Sequence, residues 1–170
     1  MSERPVAVLV GPMGSGKTTV GELVAARLGV PFLDTDSVIE ARAGKPISEI
    51  FIDDGEEHFR ALEREAVAEA LASHPGVLAL GGGAVLAAET RALLRGYPVV
   101  FLSVELADVM RREGLTIGRP LLAINPRATM RQLLDERRPL YEEVASVTVK
   151  TDDVPPEAVA AAVLAALTTR

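Results

Sequence analysis

The run Gly11-Pro12-Met13-Gly14-Ser15-Gly16-Lys17-Thr18 has the spacing G-x-x-x-x-G-K-[ST], which suits a loop that holds a chain of phosphates. Glycines let the backbone curl until successive N–H groups point inward, and a helix opening at the lysine adds its partial positive charge. Lys17 would reach the β- and γ-phosphates of ATP, and the Thr18 hydroxyl would ligate Mg2+. Gly14, Ser15, Gly16 and Thr19 complete the expected nucleotide-facing surface. The chain's only lysines are Lys17, Lys45 and Lys150, so lysine abundance does not explain the match. The alternative is an ordinary glycine-rich strand-to-helix turn.

Leu33-Asp34-Thr35-Asp36 puts two carboxylates at the end of a short apolar segment, on one face for as long as strand geometry lasts. Phosphoryl transfer asks for an acid on the metal side and another near the acceptor hydroxyl. Asp34 lies nearer the sheet and suits the metal; Asp36 lies further out and suits the acceptor. Asp36 could also cap a following helix, since Asp is a good cap residue, and the two roles can coexist.

These residues need a scaffold, and the periodicity supplies one. Val6–Val10 is an unbroken apolar run of β-formers between Pro5 and Gly11, the pattern of a strand buried on both faces. Segments 31–34, 77–80, 98–103 and 147–150 read alike. Between them, 17–28, 48–72, 89–95, 106–111, 128–144 and 156–167 carry helical spacing. Strands alternating with helices argue for a parallel sheet covered on both faces, with ligands at the carboxyl ends of its strands. Residues 113–123 lack helical periodicity and contain Gly114, Gly118 and Pro120, which marks a mobile loop.

At 170 residues the chain suits a single domain. Its 48% hydrophobic and 25% charged residues fit a folded globular protein. With 18 basic and 24 acidic residues the net charge is −6, so no overall positive field attracts nucleic acid and any anion site must be local. Cysteine is absent, which excludes disulfides and thiol chemistry. The first apolar run is too short for a signal peptide or membrane span. A cytoplasmic monomer with no membrane partner is expected.

Five segments in order resemble the shikimate kinases: the phosphate cradle; Asp34-Thr35-Asp36; Gly44-Lys45-Pro46-Ile47-Ser48-Glu49-Ile50-Phe51 with Gly55-Glu56-Glu57-His58-Phe59-Arg60; Gly81-Gly82-Gly83; and Arg119-Pro120-Leu121-Leu122 with Arg138-Pro139-Leu140-Tyr141. The resemblance implies a five-stranded parallel sheet of the P-loop kinase type. It also implies transfer of the ATP γ-phosphate to the 3-hydroxyl of shikimate, in aromatic amino-acid biosynthesis. By the same resemblance Asp36 binds the shikimate hydroxyls, and Arg60 and Arg138 its carboxylate. Gly82 and Gly83 bring backbone to the substrate, Arg119 in a lid over 113–123 contacts the phosphates, and Arg112 lies against adenine. The substrate region would span about residues 36–63.

Read physically, arginine suits a carboxylate because its planar fork makes two parallel charge-assisted hydrogen bonds. Glu56, Arg60 and Arg64 also fall at i, i+4, i+8 on a helix, and that row could be a salt-bridged solvent face. Arg138 precedes Pro139, where a helix break would aim it away from its neighbours; alternatively it complements a helix C-terminus. Gly81-Gly82-Gly83 directly follows a strand, where backbone must turn sharply or approach a ligand, unless it is only a loose loop. Phe51 and Phe59 are core residues or walls for a ring substrate. His58 and His74 lack metal-ligand spacing. Two rivals remain: a small kinase acting on gluconate or a nucleoside monophosphate, and a nucleotide switch with no acceptor. The set Asp36, Arg60, Gly82 and Arg138 discriminates against the switch, which needs no site for a hydroxylated acid.

Overall fold

The computed structural model describes residues 4–113 and 126–168. Strands β1 (Ala7–Val10), β2 (Phe32–Asp34), β3 (Val77–Ala79), β4 (Val99–Ser103) and β5 (Val147–Lys150) form one parallel sheet in the order β2-β3-β1-β4-β5. β1 is central, with Val8 paired to Leu78 on one side and to Val99 on the other. Its residues are all buried, as a strand covered on both faces requires.

Side-chain alternation divides the core into two halves. Val8, Val10, Leu78, Leu80 and Phe101 pack with Val67 and Leu71 of α4 (Glu56–Ser73), Leu94 of α5 (Ala88–Leu94) and Tyr141 of α7 (Pro126–Val144). Ala7, Leu9, Val77, Val100 and Leu102 face the opposite way. They meet Val20 and Val24 of α1 (Lys17–Leu28) and Val159 and Val163 of α8 (Pro156–Thr168). A satellite cluster of Ile39, Ile50, Phe59 and Ala66 joins α2 (Thr35–Ala43) and α3 (Ile47–Asp54) to the far side of α4. A further cluster of Val104, Val109, Met130 and Leu134 holds α6 (Leu106–Glu113) on α7.

This wiring fixes where a ligand can enter. β1 and β3 are neighbours, yet the helix after β1 covers one face and the helix after β3 the other. Connections that leave adjacent strands in opposite directions open a crevice at their carboxyl ends. The phosphate cradle follows β1 and the glycine triplet follows β3, so the two lie on either side of that crevice.

Three elements differ from the sequence reading. The helix expected over 48–72 is two, parted at Gly55, whose φ of 89° and ψ of 163° lie in a region that glycine tolerates and L-residues avoid. The Gly55 N–H closes α3 by donating to the Ile50 and Phe51 carbonyls. Helix α2, absent from the predicted helices, starts directly after β2 because Asp34 caps it, its Oδ1 accepting from the Asp36 N–H at 2.9 Å. The capping role open to Asp36 therefore belongs to Asp34. The break expected at Arg138-Pro139 does not occur, and α7 runs through Pro139. The carbonyl deprived of a donor is that of Asp135, on the exposed side, where water can satisfy it. Buried Tyr141 fastens the next turn to the core. Of the predicted lid, residues 114–123 lie outside the described residues.

A Cβ on Gly55 would meet nothing within 4 Å, so Gly55→Ala tests backbone conformation without steric interference. It should cost about 1–3 kcal/mol in denaturant unfolding. An unchanged unfolding midpoint would mean that the α3–α4 junction can relax out of this conformation freely.

Candidate active site

The cradle has the predicted backbone. Gly14 and Gly16 take positive φ angles of 80° and 90°, a region that a Cβ would make costly. Gly16 precedes α1 with no side-chain cap, so the first N–H groups of the helix keep donors for an anion. Lys17 folds over the loop, its Nζ donating to the Gly11 carbonyl at 2.7 Å and the Pro12 carbonyl at 2.9 Å. The Thr18 hydroxyl donates to Asp34 Oδ2 at 2.9 Å, which joins the cradle to the end of β2. Asp34 thus uses one oxygen to cap α2 and the other to meet Thr18. Ser15 departs from expectation: its side chain is buried and its N–H donates to the Pro12 carbonyl at 3.2 Å, so it does not reach the cavity wall formed by Gly14, Gly16, Lys17, Thr18 and Thr19.

A cavity of about 320 Å³ extends from this cradle to the glycine triplet and α4. Asp34, Asp36, Phe51, Phe59 and Arg60 all line it, as do Gly81, Gly82 and Gly83. The triplet is not a loose loop. A Cβ on Gly81 would lie 2.5 Å from Asp36 Oδ1 and 3.0 Å from Glu63 Oε2. One on Gly83 would collide with the Arg60 guanidinium, 2.6 Å from its Cζ. Charged side chains converge on this backbone only because it carries no side chains of its own.

Arg60 satisfies both readings of its helical row. Its Nε donates to Glu56 at 3.2 Å and its Nη1 to Glu63 at 2.8 Å, yet the side chain is only 15% exposed and faces the cavity. Arg64, one turn on, is 43% exposed and pairs outward with Glu89. Phe59 lies under the Arg60 guanidinium, 5.1 Å from its ring centroid, and Phe51 packs against Phe59 at 4.9 Å. The two rings therefore serve as core on one side and cavity wall on the other.

The second arginine is not the one expected. Arg137, 7% exposed, lines the cavity, and its Nη1 is 3.7 Å from where a Gly82 Cβ would stand. Arg138 donates instead to the Ser103 hydroxyl at 3.4 Å and is not part of the cavity wall. Consecutive residues of an unbroken helix point roughly 100° apart. Once α7 continues through Pro139, only one of the pair can face inward. Arg119 and the side chain of Arg112 lie outside the described residues. His58 is exposed, and His74 bonds the Val77 carbonyl through Nε2 at 3.0 Å. Neither lines the cavity, and no group of three or more His, Cys, Asp or Glu that could hold a metal occurs among the described residues. No helix there is long and apolar enough to cross a membrane.

The family model for shikimate kinase matches residues 13–168. The chain belongs to the shikimate kinase family. The shikimate kinase of Salinispora arenicola (strain CNS-205) is 68% identical over 163 residues, covering 96% of this chain and 98% of that protein. The structure of the shikimate kinase from Acinetobacter baumannii in complex with shikimate matches with a TM-score of 0.93 at 39% identity, over 98% of this chain and 93% of that one. A gluconokinase from Sinorhizobium meliloti 1021 reaches a TM-score of 0.63 at 26% identity, over 99% and 94% of the two chains. The gluconate rival thus shares the architecture but matches it less closely than the shikimate kinase does.

In this member of the shikimate kinase family, the sequence alone did not mark Glu63 and Arg137 as cavity-lining residues, or Tyr141 as bonded to the glycine triplet. Arg137 could have been found from an uninterrupted heptad count through α7, and Glu63 from lying one turn beyond Phe59 on the buried side of α4. Glu63 is 3% exposed. Burial pushes its carboxyl above the ordinary 4.5, with the Arg60 charge pulling the other way. Its Oε1 holds Arg60 while Oε2 points at Gly81.

The unfolded chain ionises Glu63 near 4.5 while the folded protein keeps the proton to higher pH, so this residue removes stability as pH rises across that window. Glu63→Gln has no such equilibrium. Its melting temperature relative to the unmodified protein should therefore climb as pH is raised from about 4.5 towards neutrality. A constant offset over the whole range would mean that Arg60 fully offsets the burial.

Proposed function

We propose that this chain transfers the γ-phosphoryl group of ATP to the 3-hydroxyl of shikimate, giving ADP and 3-phosphoshikimate for aromatic amino-acid biosynthesis. The observation that carries the reading is the pair of arginines, buried Arg137 and partly buried Arg60, on the triplet side of the same cavity whose other end is the phosphate cradle. Two guanidinium forks across from a phosphate site suit an acceptor with a carboxylate at one end and a hydroxyl at the other. Phe51 and Phe59 give the wall between them an apolar face for a carbon ring.

Each residue then has a step. The N-terminus of α1 and the cradle N–H groups receive the β-phosphate, and Lys17 exchanges its loop carbonyls for phosphate oxygens. Asp36 orients the acceptor hydroxyl and takes its proton as the oxygen bonds to the γ-phosphorus and the bridging bond to the β-phosphate breaks. Thr18 and Asp34 offer a hydroxyl and a carboxylate oxygen 2.9 Å apart at the cavity wall, the hard donors that Mg2+ prefers. Mg2+ held there would neutralise charge on the phosphates. Arg119 on a lid over 113–123 would add a cation to the transferring group, and Arg112 would lie against adenine. On this reading the protein works as a monomer in the cytoplasm.

ADP release measured with ATP and Mg2+ against shikimate, quinate, gluconate, a nucleoside monophosphate and no acceptor tests the assignment. Shikimate should be strongly preferred, and equal release without acceptor would leave a nucleotide switch. Arg60→Ala and Arg137→Ala should each weaken shikimate binding roughly 10- to 100-fold with ATP affinity little changed, since a hydrogen bond to a charged group contributes about 1.5–3 kcal/mol. Arg138→Ala should leave shikimate binding within a few-fold. The opposite ranking of Arg137 and Arg138 would overturn the clamp.

Arg119→Ala should lower kcat by more than it raises KM for shikimate, because a lid cation acts mainly on the transition state. An unchanged kcat would leave Arg119 as a surface charge.

A further inference from the structure

Among the described residues Tyr141 is the largest of the fully buried side chains, at 1% exposure. Its ring packs against Phe101 of β4 with centroids 5.0 Å apart. That contact alone would make it a core aromatic. Its hydroxyl, however, reaches the backbone of the glycine triplet that lines the cavity. It donates to the Gly82 carbonyl at 2.6 Å, and the Arg137 guanidinium, its Nη1 3.7 Å from where a Gly82 Cβ would stand, lies close enough for its charge to act on the phenol. Burial pushes the phenol up to about 12, so at neutral pH it keeps the proton that it donates.

Both contacts bear on groups that the acceptor meets. The peptide unit is planar, so fixing the Gly82 carbonyl also fixes the Gly83 N–H, which points the opposite way. Gly81-Gly82-Gly83 has no side chains to restrain it, and φ and ψ are freest at glycine. The Tyr141 bond supplies a restraint that the triplet cannot supply for itself. Arg137 lies one turn earlier on the same helix, and a long side chain keeps its aim only when something holds it. Tyr141 thus places one oxygen, anchored in the main core, on the Gly82 carbonyl and beside the Arg137 guanidinium.

We propose that Tyr141 is a positioning residue, whose hydroxyl sets the Gly82–Gly83 peptide and the Arg137 guanidinium together for the carboxylate end of the acceptor. The proposal rests on the reading of this site as the shikimate pocket. Tyr141 itself needs no contact with substrate. It makes the glycine turn and the arginine present one preorganised surface, so that binding does not have to order them.

The test is Tyr141→Phe, which keeps the ring and its packing and removes only the hydroxyl. Shikimate affinity, measured by calorimetry, should fall roughly 3- to 10-fold, as expected for one neutral hydrogen bond, while affinity for a non-hydrolysable ATP analogue stays the same. Combined with Arg137→Ala, the loss should be smaller than the product of the two single losses, since both act on one contact. Val67→Ala hollows the same core cluster without touching the hydroxyl, and should lower the melting temperature while leaving shikimate affinity unchanged. Unchanged shikimate affinity in Tyr141→Phe would overturn the proposal. So would an equal loss of ATP-analogue affinity, a fully multiplicative double variant, or a matching shikimate defect in Val67→Ala. If the unmodified protein itself shows no shikimate-dependent transfer, the pocket assignment fails instead, which the acceptor panel detects separately.

Discussion

The whole site depends on how closely two backbone segments can approach at the carboxyl ends of β1 and β3. The cradle loop and the glycine triplet leave room for no more than a methyl group between them: a Gly82 Cβ would touch the Met13 nitrogen at 3.5 Å and the Gly11 carbonyl oxygen at 3.7 Å. Into the same space come Asp36 and Glu63 beside Gly81, and Arg60 beside Gly83. Close packing leaves no slack in such an interior, so side chains on Gly81 or Gly83 would displace the groups that give the cavity its charge. Parallel strands whose connections diverge make the crevice, and glycine makes it narrow enough to bring opposite charges from α2, α4 and α7 to one place.

That convergence explains the electrostatics. Arg60, Glu63 and Arg137 are all removed from water to some degree, which costs each charge its hydration. They persist because opposite charge is near: Glu63 holds Arg60 directly, and the Glu63 carboxylate also feels the charge of Arg137. The raised carboxyl of Glu63 shows that the compensation is incomplete. A carboxylate ligand arriving between two cations would add the missing negative charge. The cavity thus offers cationic or N–H donor groups at both ends, the cradle N–H groups and Lys17 at one and the Arg60 and Arg137 guanidinium groups at the other. A protein whose net charge is −6 achieves this locally, with no basic surface.

Support for the site comes from outside it. The satellite cluster of Ile39, Ile50, Phe59 and Ala66 anchors the α2–α3 lobe on α4, and Phe59 belongs both to that cluster and to the cavity wall. The Lys45 ammonium bridges Asp53 and Asp54, tying the turn between α2 and α3 to the end of α3. These exposed pairs contribute little individually. The apolar cluster carries the lobe, and its position beside α4 sets the width of the acceptor end.

Much of this was legible from the sequence because its signals are local. An apolar run ending in glycine dictates a buried strand and a turn; the spacing of Gly11 to Thr18 dictates a phosphate cradle; strands alternating with helices dictate a parallel sheet. Gly81–Gly83 announced a close approach, although not what approaches. Tertiary packing decided the rest. Local rules break a helix before proline, but Tyr141 buried against Phe101 holds α7 through Pro139, and that continuity turns Arg137 rather than Arg138 into the cavity. Helical periodicity ran across Gly55 without interruption, since the period of a pattern does not record one residue's φ. Glu63 reads from sequence as one more surface carboxylate on a charged helix. Only the sheet on one side and the glycine triplet on the other reveal that it is buried beside Arg60, because burial depends on what the rest of the chain brings to a residue.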